Sequence, residues 1–274
     1  MALAEMGIGV HVLGHPVMRL TRDKAGKLLA IGEGERESLM HLEIDRQSQA
    51  AMATIKARLA QALEDVRAIV ADWEPMQDRM REVAEELGTR TLPLSDAGKR
   101  EAQEFLRWAA NDHFTFLGYR EYKVAKQGKD EVLVADEDSG MGLLRGKDGG
   151  KPRLLKSLAA HYMPQSGSVD ALILTKTNAR ATVHRPGYMD YIGVLGFDAK
   201  GRPTSEQRFL GLYTSSAYNR RPWDIPVVRQ RHEYVMQQSG LDPNSHSGKA
   251  LRHILETLPR EELFQSSEEE LFRT

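Results

Sequence analysis

The amino-acid sequence predicts an α+β fold in which antiparallel sheet modules are joined and covered by helical segments. Two stretches, residues 113–122 (HFTFLGYREY) and 208–220 (RFLGLYTSSAYNR), alternate apolar with polar side chains and carry one glycine each. A period of two is typical of strands with one buried and one wet face. We expect these strands to be neighbours in one sheet, between flanks that have mainly the period of helices.

The first 45 residues predict a partial α+β module. Residues 17–22 and 27–31 indicate a hairpin, because Asp23 can bond its own backbone and Gly26 can take a positive φ. Residues 39–44 alternate and predict a further strand. We expect the remaining elements of this module to lie before residue 1.

Residues 46–111 predict a helical segment of three helices. The first covers residues 46–70 behind Asp45 as N-cap, and a second begins at Asp72, because Pro75 is tolerated only in a first turn. Ser95 is the expected N-cap of the third. Their apolar stripes at helical spacing predict core packing.

Residues 112–222 predict a second α+β module, with strands at 132–134, 172–176 and 191–197 and a short helix at 154–163. Its turn Asp198-x-x-Gly201 repeats the pattern Asp23-x-x-Gly26 of the first hairpin. Each turn lies in a hairpin that is followed by an alternating strand and then by a helix, which favours two related modules. The alternative is two unrelated hairpins that share a common turn chemistry.

Residues 223–274 predict a C-terminal helical segment that leads to a further domain. Asp224 is the expected cap of one helix, with Pro226 in its first turn. Ser245 is the expected cap of another, and Ser267 with Glu270 has the spacing of a capping box.

Composition narrows the classes of function. A length of 274 residues favours two modules. A formal net charge of −1 argues against a nucleic-acid partner, and no run is long and apolar enough for a membrane span. The sequence contains no cysteine, which excludes disulfides and thiolate chemistry and agrees with a cytoplasmic location.

No motif predicts a catalytic, cofactor or metal site. Residues 146–151 (GKDGGK) lack the early glycine and the Ser or Thr of a phosphate loop. Gly140, Gly142 and Gly146 miss the dinucleotide spacing, which argues against a dinucleotide site. Residues 141–150 are rich in glycine and charge and predict a loop. The nine histidines are scattered and do not form a zinc motif.

One constellation suits a small ligand. Arginines at strand ends can hold a carboxylate, and an aspartate can meet an ammonium group, so together they suit a free amino acid. The candidate residues are His184, Arg185, Asp190, Arg208, Tyr213 and Arg220. The alternative is that these side chains form structural ion pairs and turn bonds.

Four runs carry a resemblance to a known family. Residues 114–122 (FTFLGYREY), 183–194 (VHRPGYMDYIGV), 208–220 and 239–251 resemble the large bacterial NAD-specific glutamate dehydrogenases. The resemblance implies a very long, cytoplasmic, homo-oligomeric enzyme that converts L-glutamate and NAD to 2-oxoglutarate, ammonium and NADH. It also implies ACT-like (ferredoxin-like) modules, here at residues 1–45 and 112–222.

The family's catalytic lysine and glycine-rich dinucleotide motifs have no counterpart in this sequence. We therefore expect the chain to be inactive alone and to hold no cofactor, with NAD used by the full-length enzyme. ACT modules in other proteins bind amino acids, which suggests a regulatory and assembly segment that senses an amino-acid effector. The alternative is a purely structural oligomerisation module without a small ligand. Its expected partners are the other domains of the same polypeptide.

Overall fold

A computed structural model describes residues 1–89, 94–155 and 171–274. It divides into two compact units. The N-terminal unit consists of Met1–Glu64 with Thr182–Pro186, and the sheet unit of Asp65–Ala181 with Gly187–Thr274. Most of the helix that the sequence predicts at residues 154–163 lies outside the described residues.

The N-terminal unit contains two small antiparallel sheets. Its elements are α1 (Ala2–Glu5), β1 (Val10–Gly14), β2 (Val17–Arg22), β3 (Leu28–Ile31), β4 (Glu35–Ser38) and β5 (His41–Ile44). Strand β1 pairs with β5, and the other three have the order β3-β2-β4. Few of the unit's apolar side chains are buried: Leu20 is 4% exposed, whereas Leu29 and Ile31 are 62% and 63% exposed.

The two predicted aspartate turns are confirmed. Asp23 Oδ1 accepts hydrogen bonds of 2.9 Å from the backbone amides two and four residues later, and Gly26 has a φ of 83°. Asp198 Oδ1 accepts the equivalent bonds at 2.8 and 2.9 Å, and Gly201 has a φ of 74°. Their surroundings differ, because residues 203–213 after the second turn form one strand rather than a hairpin arm followed by a separate strand.

A single helix, α2 (Gln49–Thr89), replaces the two helices that the sequence predicts, so that prediction is wrong. Pro75 lies inside it, where a proline removes one backbone hydrogen bond and costs roughly 3 kcal/mol. The buried stripe continues past it through Met76, Met80 and Val83, all at most 1% exposed. Each such side chain stabilises by about 1.5–3 kcal/mol, so packing outweighs the proline.

Two predicted caps are wrong and three are confirmed. Ser48, not Asp45, accepts a bond from the first turn of α2, because Asp45 accepts hydrogen bonds from Gly9 and His11 instead. Asp224 pairs with Arg221 in a short 3₁₀ turn, and the next helix begins only at Val228. The predicted caps that the structure confirms are Ser95, Ser245 and the capping box of Ser267 with Glu270.

The sheet unit is built on one antiparallel sheet of seven strands. They are β6 (Phe114–Gln127), β7 (Asp130–Ala135), β8 (Met141–Gly142), β9 (Arg153–Leu154), β10 (Leu172–Arg180), β11 (Tyr188–Phe197) and β12 (Pro203–Tyr213). Their order is β10-β11-β12-β6-β7-β9, with β8 beside β6. The predicted pairing of the two alternating stretches is confirmed, since Tyr213 lies opposite Phe114 and Phe209 opposite Tyr119. The predicted end of the second stretch is wrong, because the strand ends at Tyr213 and residues 215–219 form a short helix.

Helices cover one face of this sheet. The second half of α2 packs there with α3 (Asp96–Trp108), α4 (Ser215–Asn219), α5 (Val228–Gln238), α6 (His246–Thr257), α7 (Arg260–Gln265) and α8 (Glu268–Arg273). The shared core contains Phe105, Phe209 and Phe264, which are 0%, 0% and 4% exposed. We call this side of the sheet the helical face. Odd-numbered residues of β12, such as Phe209 and Tyr213, point to it.

Candidate functional site

Asp190 joins three elements around the sheet. It lies on β11 and is 2% exposed. Its carboxylate accepts hydrogen bonds from Lys176 Nζ at 2.7 Å and from the backbone amide of Tyr213 at 2.9 Å. Lys176 Nζ also lies 3.7 Å from Glu261 Oε1 on α7, and Tyr218 donates to the same oxygen at 3.0 Å. An ammonium group therefore does meet Asp190, and it belongs to the chain's own Lys176.

Tyr213 connects this network to the aromatic core. It is 5% exposed, and its ring stacks on Phe264 of α7 with a centroid distance of 4.4 Å. Burial, with the nearby charge of Asp190, raises the pKa of the Tyr213 hydroxyl well above its usual range. The phenol is therefore neutral at any physiological pH and contributes packing and polarity rather than charge.

Arg208 lies on the opposite face of the sheet, among buried polar side chains. Its Nε donates to Tyr191 Oη at 3.0 Å, and its Nη2 donates to Glu206 at 2.9 Å. The guanidinium also lies over the ring of Tyr122, 3.8 Å from its centroid. Glu206 and Arg208 are 0% and 6% exposed, so this is a buried ion pair.

Arg120 adds a second buried cation directly opposite Arg208 on the neighbouring strand. It is 1% exposed, and its Nη2 donates to the carbonyls of Leu144 at 2.6 Å and Lys147 at 2.5 Å. Its Nε and Oε1 of Glu206 have no hydrogen-bond partner in the described part of the chain. We call Arg120, Glu206 and Arg208, with Tyr122 and Tyr191, the polar cluster.

Sequence reasoning identified Arg208 in this cluster but missed Arg120 and Glu206. Arg120 lies within the first alternating stretch, and Glu206 lies two residues before the second. A usable signal was Gly193, which lies opposite Arg208 on β11. A Cβ atom at Gly193 would come within 2.9 Å of Glu206 Oε1, so the glycine leaves room for a charged neighbour.

The remaining predicted residues are not among the partners described above. His184 and Arg185 belong to the segment Thr182–Pro186 of the N-terminal unit, where His184 is exposed and has a φ of 72°. Arg220 is exposed after α4, and its carbonyl accepts a 2.8 Å bond from Arg260. Of the predicted residues in the sheet unit, Asp190 and Tyr213 are brought together on one side, and Arg208 lies on the other.

The predicted glycine-rich loop 141–150 is confirmed from Leu143 onwards, whereas Met141 and Gly142 form the short strand β8. The loop turns the carbonyls of Leu144 and Lys147 towards a cation, whereas a phosphate loop presents backbone amides to an anion. Asp72 of α2 anchors the loop by accepting bonds from the Gly142 amide at 2.7 Å and from Arg145. The hydrogen bond from Arg145 lowers the pKa of Asp72. These residues do not fit a dinucleotide phosphate.

Within residues 1–89, 94–155 and 171–274, no group of three or more His, Cys, Asp or Glu side chains is arranged to hold a metal ion. Over the same ranges, no helix combines the length and apolar character needed to cross a bilayer. The polar groups described above are paired mainly with one another. The side chains described above can therefore hold elements together or exchange one partner for a ligand. They do not include a nucleophile with an activating base.

His232 is a buried titratable group outside both clusters. It lies on α5, is 8% exposed and packs 5.3 Å from the ring of Trp223. Its Nε2 has no hydrogen-bond partner among the described residues. Burial lowers the pKa of His232, and the positive charge of Arg252 lowers it further.

We expect the stability of the sheet unit to fall in mild acid because of His232. A group with a lower pKa in the folded state takes its proton first in the unfolded state, so stability is complete above about pH 6.5 and declines below it. Urea unfolding from pH 8 to pH 5 will measure this. His232→Gln should flatten the slope below pH 6.5, and equal slopes for both proteins would contradict the assignment.

Two family models match the chain. One, described as glutamate dehydrogenase, ACT1 domain, matches residues 1–59. The other, described as glutamate dehydrogenase, helical motif 1, matches residues 225–274, which include α5 to α8. The helices that pack on Asp190 and Tyr213 through α7 are thus part of the second match.

Three relatives are similar over almost the whole chain, and each is named NAD-specific glutamate dehydrogenase. The proteins of Halomonas elongata and Pseudomonas aeruginosa are 36% and 37% identical over 285 residues, which covers 99% and 100% of this chain. The protein of Mycobacterium tuberculosis is 27% identical over 278 residues, or 98% of the chain. The chain spans 18%, 17% and 16% of these relatives' own lengths.

Proposed function

Because this chain is a segment of the large NAD-specific glutamate dehydrogenase type, covering its ACT1 domain and helical motif 1, we propose that it serves regulation and assembly rather than catalysis. The full-length enzyme would oxidise L-glutamate to 2-oxoglutarate with NAD. In this proposal the segment senses an amino-acid effector and biases domains elsewhere in the polypeptide. Residues 112–222 would form a second ACT-like module, and the protein would work in the cytoplasm as a homo-oligomer.

One observation carries the regulatory part of the proposal. Lys176 Nζ bridges Asp190 on the sheet and Glu261 on α7, at 2.7 and 3.7 Å. A free amino acid whose ammonium group replaces the lysine at Asp190 would release Glu261 from this bridge. Its binding would therefore loosen helical motif 1 from the sheet, and the two ligand states would differ in the position of α7.

An effector can act on this segment only if it binds one arrangement of α7 more tightly than the other. A ligand shifts an equilibrium only by its difference in affinity for the two arrangements. An amino acid that displaces Lys176 binds only the arrangement in which the lysine has moved away, so it selects that arrangement. The carboxylate of the ligand would need a cation. Arg208 lies on the opposite face of the sheet, so Arg220 is the proposed candidate within the sheet unit, and His184 and Arg185 stay predictions.

Isothermal calorimetry with a panel of amino acids tests the effector. We expect the wild-type chain to release or absorb heat with at least one of them, and Asp190→Asn to lose this signal while keeping its circular dichroism. Lys176→Met removes the internal competitor and should raise the affinity. A folded wild-type chain that gives no heat at millimolar ligand would reject effector binding and leave the purely structural role.

A turnover assay tests the other half of the proposal. We expect the purified chain not to reduce NAD in the presence of L-glutamate, since the described residues offer neither a dinucleotide loop nor an activated nucleophile. Reduction of NAD by the chain alone, after removal of contaminating dehydrogenase activity, would overturn the non-catalytic assignment.

A further inference from the structure

Helix α2 has an exposed apolar face in the sheet unit. Val66, Val70 and Trp73 are 41%, 62% and 46% exposed. Their spacing of four and three residues places them in one row on the helix. The adjacent face of the helix is buried, with Ile69 at 8% and Met76 at 0%. We call Val66, Val70 and Trp73 the α2 stripe. Three large apolar side chains in one exposed row indicate a docking surface.

Two opposite charges flank this stripe. Arg67 and Glu74 directly follow Val66 and Trp73, so they lie seven residues apart on the same edge of the row. Both are exposed, and neither has a hydrogen-bond or ion-pair partner in the part of the chain that the structure describes. By contrast, Asp72 on the same helix is paired with Arg145. The flank is therefore available to a partner with a complementary pair of charges.

We propose that the α2 stripe is the contact between two copies of this chain, with their α2 helices antiparallel about a two-fold axis. The axis passes between Val70 and Trp73, so each Val70 packs on Trp73 of the second copy. In an antiparallel pair, residues on this flank meet the same flank of the partner. Arg67 of each copy then lies beside Glu74 of the other, which makes two ion pairs.

The charges select this register. A shift by one heptad in either direction would place Arg67 beside the partner's Arg67 or Glu74 beside the partner's Glu74, and like charges at such positions destabilise. A chain whose flank is complementary to itself fits a second copy better than an unrelated helix. This contact rests on the assembly role proposed above and names the surface that performs it.

The contact is small, so the dimer is weak. Stable complexes bury about 800 Å² per partner, more than three side chains and their flanks supply. We therefore expect reversible dimers, visible by sedimentation velocity between low and high micromolar concentrations. Val70→Glu places a carboxylate in the centre of the contact and should abolish the dimer.

A charge swap gives the sharper test. Arg67→Glu and Glu74→Arg each create two repulsive pairs and should weaken the dimer about tenfold. An equimolar mixture of the two variants restores attraction across the interface and should recover wild-type association, as should the doubly swapped chain. Glu64→Lys, exposed on the same helix but off the stripe, is the matched control and should change nothing.

The circular dichroism spectra and melting curves of all variants must match those of the wild-type chain. A wild-type chain that stays monomeric at high concentration would overturn the proposal. If Trp73 is shielded from solvent only in a longer polypeptide, the stripe packs against another helix of that polypeptide, which would also overturn it. A mixture that fails to recover association would also overturn it. Sedimentation and calorimetry are independent, so failure of the dimer leaves the effector test unaffected.

Discussion

Replacing Glu206 with alanine is expected to lower the free energy of unfolding of the sheet unit by about 3–5 kcal/mol. The reason is the polar cluster. Arg208 is 6% exposed, and Glu206 is the carboxylate that accepts its Nη2 hydrogen bond at 2.9 Å. Without Glu206, the buried guanidinium of Arg208 loses its carboxylate partner, on a strand whose neighbour carries the buried Arg120 opposite it. Urea unfolding followed by tryptophan fluorescence measures the loss.

A double variant separates the charge effect from simple truncation. Glu206→Leu with Arg208→Met removes both charges and keeps the volume, so it should recover most of the lost stability. Lys123→Ala is the surface control, because its bridge to Asp136 leaves the lysine side chain 69% exposed, and it should cost at most about 1 kcal/mol. A loss below about 1 kcal/mol for Glu206→Ala would mean that the pair is solvated in solution.

Replacing Phe264 with alanine is expected to cost about 3–5 kcal/mol and to detach α7 from the sheet. Phe264 is 4% exposed, stacks on Tyr213 at 4.4 Å and meets Phe105 edge-on at 6.1 Å. Its removal leaves a cavity where helical motif 1 meets the strand that bonds Asp190. Thermal unfolding gives the energy, and limited trypsin digestion of residues 260–274 reports whether the helix has come away.

Phe272 offers a matched control on the neighbouring helix. It is 46% exposed, so Phe272→Ala removes the same atoms with little loss of packing and should cost less than about 1 kcal/mol. Equal losses for the two phenylalanines would show that α7 and α8 contribute to the core in a way that the burial of their side chains does not reflect.

These two predictions concern opposite sides of one sheet. On the helical face, Asp190, Lys176 and Glu261 join the strands to helical motif 1, and Phe264 supplies the apolar part of the same contact. On the other face, the polar cluster holds residues 140–150 in place through Arg120. A ligand that acts through this segment would have to change one of these two sets of contacts.

Much of the local structure was predictable because it depends on residues close together in the chain. The aspartate turns at Asp23 and Asp198 need only a side-chain acceptor and a glycine three residues later. The caps at Ser95 and Ser245 need only a hydroxyl before a helix. Strand alternation also predicted correctly that the stretch 113–122 pairs with the first part of the stretch 208–220.

The candidate site was predicted less completely. Asp190 and Tyr213 are close because β11 pairs with β12 and Asp190 lies opposite Gly211, two residues before Tyr213. The partner of Asp190 was missed, since Lys176 is 14 residues away and comes opposite it only through the pairing of β10 with β11. Arg208 was expected at an accessible strand end, and the structure places it on a buried face.

The sequence by itself determined the α+β class, the turns, several caps and the pairing of β6 with β12, because these follow from side-chain period and short-range hydrogen bonds. Only the tertiary structure decided that α2 runs through Pro75 and that both sheet faces are buried. It also decided that Glu206 and Arg208 form a buried ion pair. Such outcomes depend on packing energies summed over distant residues, which outweigh a local preference of a few kcal/mol.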